Sequence, residues 1–489
     1  MSLTYTSFTA LQNATSSLML QNGQTTLAYG IGRSLGRVFK WLFPADPGAK
    51  AQKKAAKEAA AVSMFLPYYE SLFSQNTIRM FHILNSGSPT ANSLAYVSAA
   101  SQYSVAPKKI ELLGVVAGVG KAGIRELAMQ NAARIMDLAG TLSVPLYKGA
   151  EAPLDIEHNA TAIAKMTQDL QKMHFYGFDG LGDVAGWKAN IKPNIMPLAG
   201  HIAMAKAIIA TTEAQPITLV CNGPLTTVSK TLSELALLDP TRAYAKKLLL
   251  VISGGCEKPV YGCDAPHDAP KKGKIVEYNF HFDPIAAQHV FATCQKLNIT
   301  IVLSGLDTSD YVLWLGSNSD TLKTINNPLS QQMANVTDQI PYFDEQRYPA
   351  TTYPVTPLIA TASIMYPQLY LAKRVEVSIG EIGQMYVNET AIDGNVVQLS
   401  MNWDQRAAFY KVSLNAYNQC FPGATAVACE KSHTAEALAI SIPLTIGLLG
   451  LVAFGAKKYY DHQRHKAQGD LVELGVNEAT SLVKASSLQ

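Results

Sequence analysis

ITLVCNGPLTTVSKTLSELALL, residues 217–238, followed by LLLVI at 248–252, decides the fold. Ile217–Cys221 is a largely apolar, β-rich run of strand length, interrupted only by Thr218. Leu225–Leu238 repeats its apolar residues three and four apart, the period of a helix. Leu248–Ile252 is a second run, wholly apolar. A strand, a helix and a strand in succession imply a parallel pair joined by a crossover. Strands without polar alternation are buried on both faces. Working outward, Met80–Leu84, Leu112–Val116 and Ile299–Leu303 read as further buried strands, and Gly123–Leu138 as a helix. The expected class is α/β, a Rossmann-like, mostly parallel sheet with helices on both faces. Ligands of such sheets bind at the carboxyl ends of the strands.

Of the 489 residues 48% are hydrophobic and 16% charged, and the net charge is +3. That charge is too small to suggest a nucleic-acid partner. The mean hydropathy, +0.06, is high and hints at a membrane segment. Ala437–Ala456 supplies one: 20 residues without a charge. At ~1.5 Å per residue this spans a hydrocarbon core of ~30 Å. Pro443, Gly447, Gly450 and Gly455 are tolerated in a membrane helix. Lys457, Lys458, Arg464 and Lys466 follow, opposed only by Asp461, whereas Glu430, Lys431 and Glu436 precede. This bias places the tail 457–489 in the cytosol or mitochondrial matrix and the large domain on the other side.

Residues 1–45 hold no Asp or Glu but include Arg33, Arg37 and Lys40. That composition fits mitochondrial targeting better than secretion, because no apolar core of a signal peptide is present. Lys50–Ala61 is Ala/Lys-rich and reads as a solvated helix. The expected organisation is an extension at 1–76, an α/β domain at 77–415, a linker at 416–436, the membrane span at 437–456 and the tail at 457–489. Cys420 with Cys429, and Cys256 with Cys263, each flank a loop; each pair is either a disulfide or two free thiols. The sequons at Asn13, Asn159, Asn298, Asn335 and Asn388 matter only if the domain enters the secretory pathway.

Five runs, in order, are similar to motifs of the inosine–uridine-preferring nucleoside hydrolases. They are KIELLGVVAG at 109–118, GFDGLG at 177–182, NGPLTT at 222–227, SGG at 253–255 and EYNFHFDPIAA at 277–287. The resemblance covers about 78–415. It implies hydrolysis of an N-glycosidic bond by water activated on a calcium ion, with an Asp as general base. The acidic ligands come from D-x-D-P-G-x-D-D after the first strand and from a late His-Asp pair. Calcium requires six to eight oxygens, several of them charged.

Here the corresponding stretch is Asn85-Ser86-Gly87-Ser88-Pro89-Thr90-Ala91-Asn92. Asn85, Gly87, Ala91 and Asn92 stand where the resemblance calls for carboxylates, and Val355-Thr356 where it calls for His-Asp. Val119 replaces an Asn, and Cys263 falls near another. Glu277 and Asn279 match sugar-contacting positions, and the main-chain carbonyl of Asn222 matches a calcium ligand; a vestigial pocket would be lined by these three. No metal or other cofactor is expected.

The remaining motifs carry less. GVVAGVGK at 114–121 is not a phosphate loop, since Val115 stands where glycine is needed and Ala122 follows the lysine. Gly30, Gly32 and Gly36 have no strand before them. Asp179 and Asp183 read as turn formers and Asp283 before Pro284 as a helix cap. His82, His174 and His281 lack metal-like spacing.

The expected protein is a non-catalytic accessory subunit of a membrane complex, held in the bilayer by 437–456. The mitochondrial inner membrane and a respiratory complex are the first assignment, with the domain toward the intermembrane space. The alternatives are a membrane-tethered binder of a nucleoside or sugar, a hydrolase with a rebuilt site, and a plasma or vacuolar membrane location with the domain outside.

Overall fold

The computed structural model describes residues 68–417, apart from 86, 104–107, 121–122, 258–275, 310–312, 344–351, 392–393 and 402. The chain order is β1 (Thr77–Leu84), α1 (Ser88–Tyr103), β2 (Lys109–Ala117), α2 (Arg125–Leu138), β3 (Leu146–Lys148), α3 (Ala160–Met173), α4 (Gly200–Ala210), β4 (Ile217–Asn222) and α5 (Thr226–Leu238). Then come β5 (Leu248–Ser253), α6 (Tyr278–Phe282), α7 (Pro284–Leu297), β6 (Ile301–Ser304), α8 (Leu306–Ser309), β7 (Leu313–Leu315), α9 (Gly316–Thr324) and α10 (Pro328–Phe343). The series ends with β8 (Thr352–Pro354), α11 (Thr356–Met365), β9 (Leu371–Ile379), β10 (Met385–Asn388), β11 (Val396–Ser400) and α12 (Trp403–Tyr417).

Nine strands form one sheet in the order β10-β9-β11-β6-β5-β4-β1-β2-β3. From β3 to β11 every pairing is parallel; β9 and β10 add an antiparallel edge. The order 3-2-1-4-5-6 within it is that of dinucleotide-binding folds. It reverses between β1 and β4, so the crevice that such sheets offer opens at the ends of those two strands. Leu84, the last residue of β1, pairs with Asn222, the last of β4.

β4 and β5 are buried at every position, as their mostly apolar sequences lead one to expect. Their side chains divide between two cores. Met80, Leu84, Val220, Val251 and Val302 join the first, with α1, α2, α10 and α11. Phe81, Ile83, Leu219, Leu250 and Ile301 join the second, with α4, α5 and α7. All ten residues of α11 are buried. Gly114 lies at a register shift between β1 and β2. A Cβ there would approach Tyr147 to 2.6 Å and Phe81 to 2.9 Å, so glycine is the residue that fits.

Several expected boundaries move: β1 begins at Thr77 rather than Met80, and β2 runs Lys109–Ala117 rather than Leu112–Val116. The strand expected at Ile299–Leu303 is Ile301–Ser304, and the helix expected from Gly123 starts at Arg125. The predicted membrane span, its flanking segments and residues 1–67 lie outside the described residues. Among the described residues no helix is long and apolar enough to cross a membrane.

Candidate functional site

The chain leaves β1 at Asn85, which is 7% exposed. Its side-chain oxygen accepts the Gly87 N–H at 3.1 Å and faces the Thr90 hydroxyl at 3.3 Å. Thr90 also reaches the main-chain oxygens of Asn85, at 2.9 Å, and Gly87, at 2.6 Å. The amide is walled in by backbone: a Cβ on Gly120 would lie 2.7 Å from Asn85 Nδ2, and one on Gly223 3.4 Å from it. Ala91 is buried and brings no donor atom. Asn92 belongs to another contact, for the Tyr417 hydroxyl donates to its main-chain oxygen at 3.1 Å and lies 3.4 Å from its Oδ1. Thr356 is the first residue of α11 and is buried. A cavity of about 10 Å³ remains here, lined by Leu84, Asn85, Thr90, Ala91, Asn131 and Leu181 among others. It is about large enough for one water.

Asn222, across from Leu84, turns its side chain into the first core. Nδ2 donates to Ser93 Oγ at 2.8 Å and Thr361 Oγ1 at 3.2 Å, and lies 3.4 Å from His82 Nε2. Thr361 spends its proton on Pro357 O, at 2.9 Å, so Ser93 donates to Thr361 across 2.5 Å. The four residues come from β1, α1, β4 and α11, and none exceeds 1% exposure. His82 Nδ1 and Asn222 Oδ1 have no partner among the described residues. Burial pushes the His82 pKa down to about 3, which keeps the ring neutral. The sequence pointed only to the Asn222 main chain. The signal that was available is a histidine within the apolar strand TIRMFHIL, a polar residue where its face of the sheet meets the core.

Glu277 and Asn279 lie beside the end of β5. The Glu277 carboxylate accepts N–H groups from Gly255 at 3.0 Å, Asn279 at 2.9 Å and Phe280 at 3.3 Å. It caps α6 and fastens the Gly254–Gly255 turn, where both glycines have positive φ. Asn279 Nδ2 donates to Ser253 O at 3.2 Å.

The other acidic candidates hold the backbone. Asp179 Oδ1 accepts from Leu181 and Asp183, and Asp183 Oδ1 accepts from the Asp179 N–H. Arg134 pairs with Asp179 at 3.3 Å. Asp283 caps α7 through Ala286 and binds Thr226 Oγ1 at 2.6 Å; burial raises its pKa. His174 packs on Phe178, and His281 Nδ1 meets Ile382 O at 3.0 Å. Cys256 is disulfide-bonded, Cys221 and Cys294 are free thiols, and Cys263, Cys420 and Cys429 lie outside the described residues.

The structure therefore places Asn85 and Asn222 at the crevice between β1 and β4, sets Glu277 and Asn279 at the end of the adjoining β5, and directs Asn92 to Tyr417. These residues do not fit the calcium ion that the resemblance implies. Asn85 has its amide oxygen engaged, Gly87 and Ala91 carry no side-chain oxygen, and among the described residues no cluster of carboxylates replaces them. Such a donor set is neutral where calcium sites are charged.

Comparison with known proteins follows the same lines. The profile of the family described as inosine-uridine preferring nucleoside hydrolase matches residues 93–414. A pyrimidine-specific ribonucleoside hydrolase of Photobacterium profundum is 27% identical over 270 residues, 55% of this chain and 76% of that protein. The inosine-uridine preferring nucleoside hydrolase of Crithidia fasciculata is 24% identical over 286 residues, 58% of this chain and 80% of that protein. Among solved structures, a plant nucleoside hydrolase superposes with a TM-score of 0.54 at 18% identity, covering 69% of this chain and 99% of that one. A purine-preferring ribonucleoside hydrolase from Gardnerella vaginalis gives 0.54 at 16% identity, covering 70% and 99%. At these identities the structural likeness speaks to the fold.

Proposed function

This chain belongs to the inosine-uridine preferring nucleoside hydrolase family, and from that premise we propose that it is a non-catalytic member serving as an accessory subunit of a membrane complex. One observation carries the proposal. At the crevice between β1 and β4, Asn85, Gly87, Ala91 and Asn92 occupy the positions where the family resemblance calls for carboxylates. The Asn85 side chain is already bonded to Gly87 and Thr90. The profile match starts at Ser93, just past that segment. Loss of the general base alone costs about 10²–10⁴-fold, and loss of the ion removes the activated water as well.

The relatives bear hydrolase names, so silence of this chain is a departure to be measured. Purified full-length protein is assayed with inosine, uridine and guanosine, with and without calcium. No release of free base above the uncatalysed rate is expected; calcium-dependent release would overturn the proposal.

The membrane assignment stands on the uncharged run 437–456 and its basic flank, and the mitochondrial one on the acid-free residues 1–45. A respiratory complex is the first assembly to examine. Extraction in mild detergent, native sizing and mass spectrometry of co-migrating chains test it. Stoichiometric inner-membrane partners are expected; migration alone would end the subunit proposal.

A further inference from the structure

We propose that the helical turn at 68–72 is a strap that keeps α11 seated over the crevice, and that its release opens strap and helix together while the sheet stays folded. The strap precedes β1 and stands outside the family-matched residues 93–414, so the device lies ahead of the hydrolase-like domain that it closes.

The strap is fastened at three points. Tyr69 and Phe73 are 0% and 2% exposed and meet edge to face in the first core, with ring centroids 5.7 Å apart. The Tyr68 hydroxyl lies 3.3 Å from Thr300 Oγ1, just ahead of β6, and the Arg374 guanidinium of β9 stands 5.4 Å from the centre of the Tyr68 ring. The Tyr69 hydroxyl donates to Ser363 O, in α11, at 3.1 Å. Glu70, Ser71 and Ser74 are exposed, so the outer side of the strap faces solvent.

The third point supplies what the sequence denies to α11. A helical carbonyl accepts the N–H four residues further on. For Ser363 that residue is Pro367, which has no N–H. Ser363 is 0% exposed, and the Tyr69 hydroxyl gives its carbonyl the missing donor. Two residues earlier Thr361 joins Ser93 and Asn222, and Thr356 opens the same helix where the family resemblance calls for an acidic residue. The hold of Tyr69 is therefore carried along one buried helix to the crevice. Detaching the strap leaves the Ser363 carbonyl without a donor and withdraws two aromatic rings from the first core. Domains open in contiguous units of this kind without unfolding as a whole. β4 and β5, buried at every position, are the part that stays closed.

The test is hydrogen exchange, read by mass spectrometry, on the full-length protein and two variants. Tyr69→Ala removes ring and hydroxyl. Exchange in α11 is expected to quicken about tenfold or more, while β4 and β5 keep their native rates. Tyr69→Phe keeps the ring in the core and removes only the donor, so it carries the test even where the larger change prevents folding. About fivefold quicker exchange in α11 is expected from the loss of one buried hydrogen bond. Unchanged exchange of α11 in both variants overturns the proposal. Equal quickening of α11, β4 and β5 overturns it too, because Tyr69 then supports the domain as a whole and no separate opening exists.

Discussion

Ser93 Oγ and Thr361 Oγ1 lie 2.5 Å apart at 0% exposure, joining α1 to α11 above the ends of β1 and β4. With Asn222, the last residue of β4, donating to both hydroxyl oxygens, the pair links the elements that border the crevice. A buried hydrogen bond contributes about 1 kcal/mol net, and an orphaned partner costs about 1–3 kcal/mol. Ser93→Ala is therefore expected to lower stability by about 1–3 kcal/mol in urea unfolding. A double-mutant cycle with Thr361→Val should give a coupling of about 0.5–3 kcal/mol. Strict additivity would show that the two hydroxyls do not support each other.

The acid response should carry the mark of His82. Burial pushes its folded pKa down to about 3 from the ordinary 6.5. Above pH 6.5 both states are neutral and the residue adds no slope. Between 6.5 and 3 the unfolded chain binds a proton that the folded one refuses, so stability falls by about 1.4 kcal/mol per pH unit. Below 3 the slope ends. Urea unfolding at pH 7 and pH 5 is expected to differ by about 2 kcal/mol more in the native protein than in His82→Phe. Equal slopes would show that the imidazole is protonated in the folded state.

Calcium should leave the folded protein unchanged. An ion held at one hundred times its dissociation constant would stabilise by about 2.7 kcal/mol. The melting midpoint is expected to be the same in millimolar calcium and in chelator. A calcium-dependent rise would identify a site that the neutral donors at Asn85, Gly87, Ala91 and Asn92 do not provide.

Glu277 should behave as a structural cap. Replacement by Ala leaves the N–H groups of Gly255, Asn279 and Phe280 without their acceptor and is expected to cost about 2–3 kcal/mol. Glu277→Gln keeps one acceptor oxygen and should cost about half as much. Neither ribose nor inosine is expected to raise the melting midpoint of the native protein. A ligand-induced rise that is lost in Glu277→Gln would instead favour the sugar-binding alternative.

The apolar pattern located the parallel centre of the sheet because Ile217–Cys221 and Leu248–Ile252 are buried on both faces, which leaves apolar runs with little polar alternation. It missed β9, whose sequence LAKRVEVSI buries Ala372, Val375 and Val377 and leaves most other positions partly exposed. Such a strand, in the antiparallel part of the sheet, buries one face only, and its charged residues conceal it among surface segments. It missed β3 because three residues are too few to show a period. At the crevice, the missing carboxylates could be placed because Asn85–Asn92 follows directly on the strand Met80–Leu84. The use made of their replacements could not: that Asn92 serves Tyr417, 325 residues away, depends on tertiary packing. Asn222, Ser93, Thr361 and His82 are likewise scattered over 280 residues, and no local pattern announces that their polar atoms converge.

The double hold on Tyr417 has a mechanical consequence. Its hydroxyl is fastened to Asn92 and its carbonyl to Asn327 and Ser330. Tension applied to the polypeptide beyond this residue enters through α1 and α10 together, two helices packed over the sheet. The load is shared in shear between them instead of peeling α12 away from its free end turn by turn, so a tug from that side strains the body of the domain before it frays the last helix.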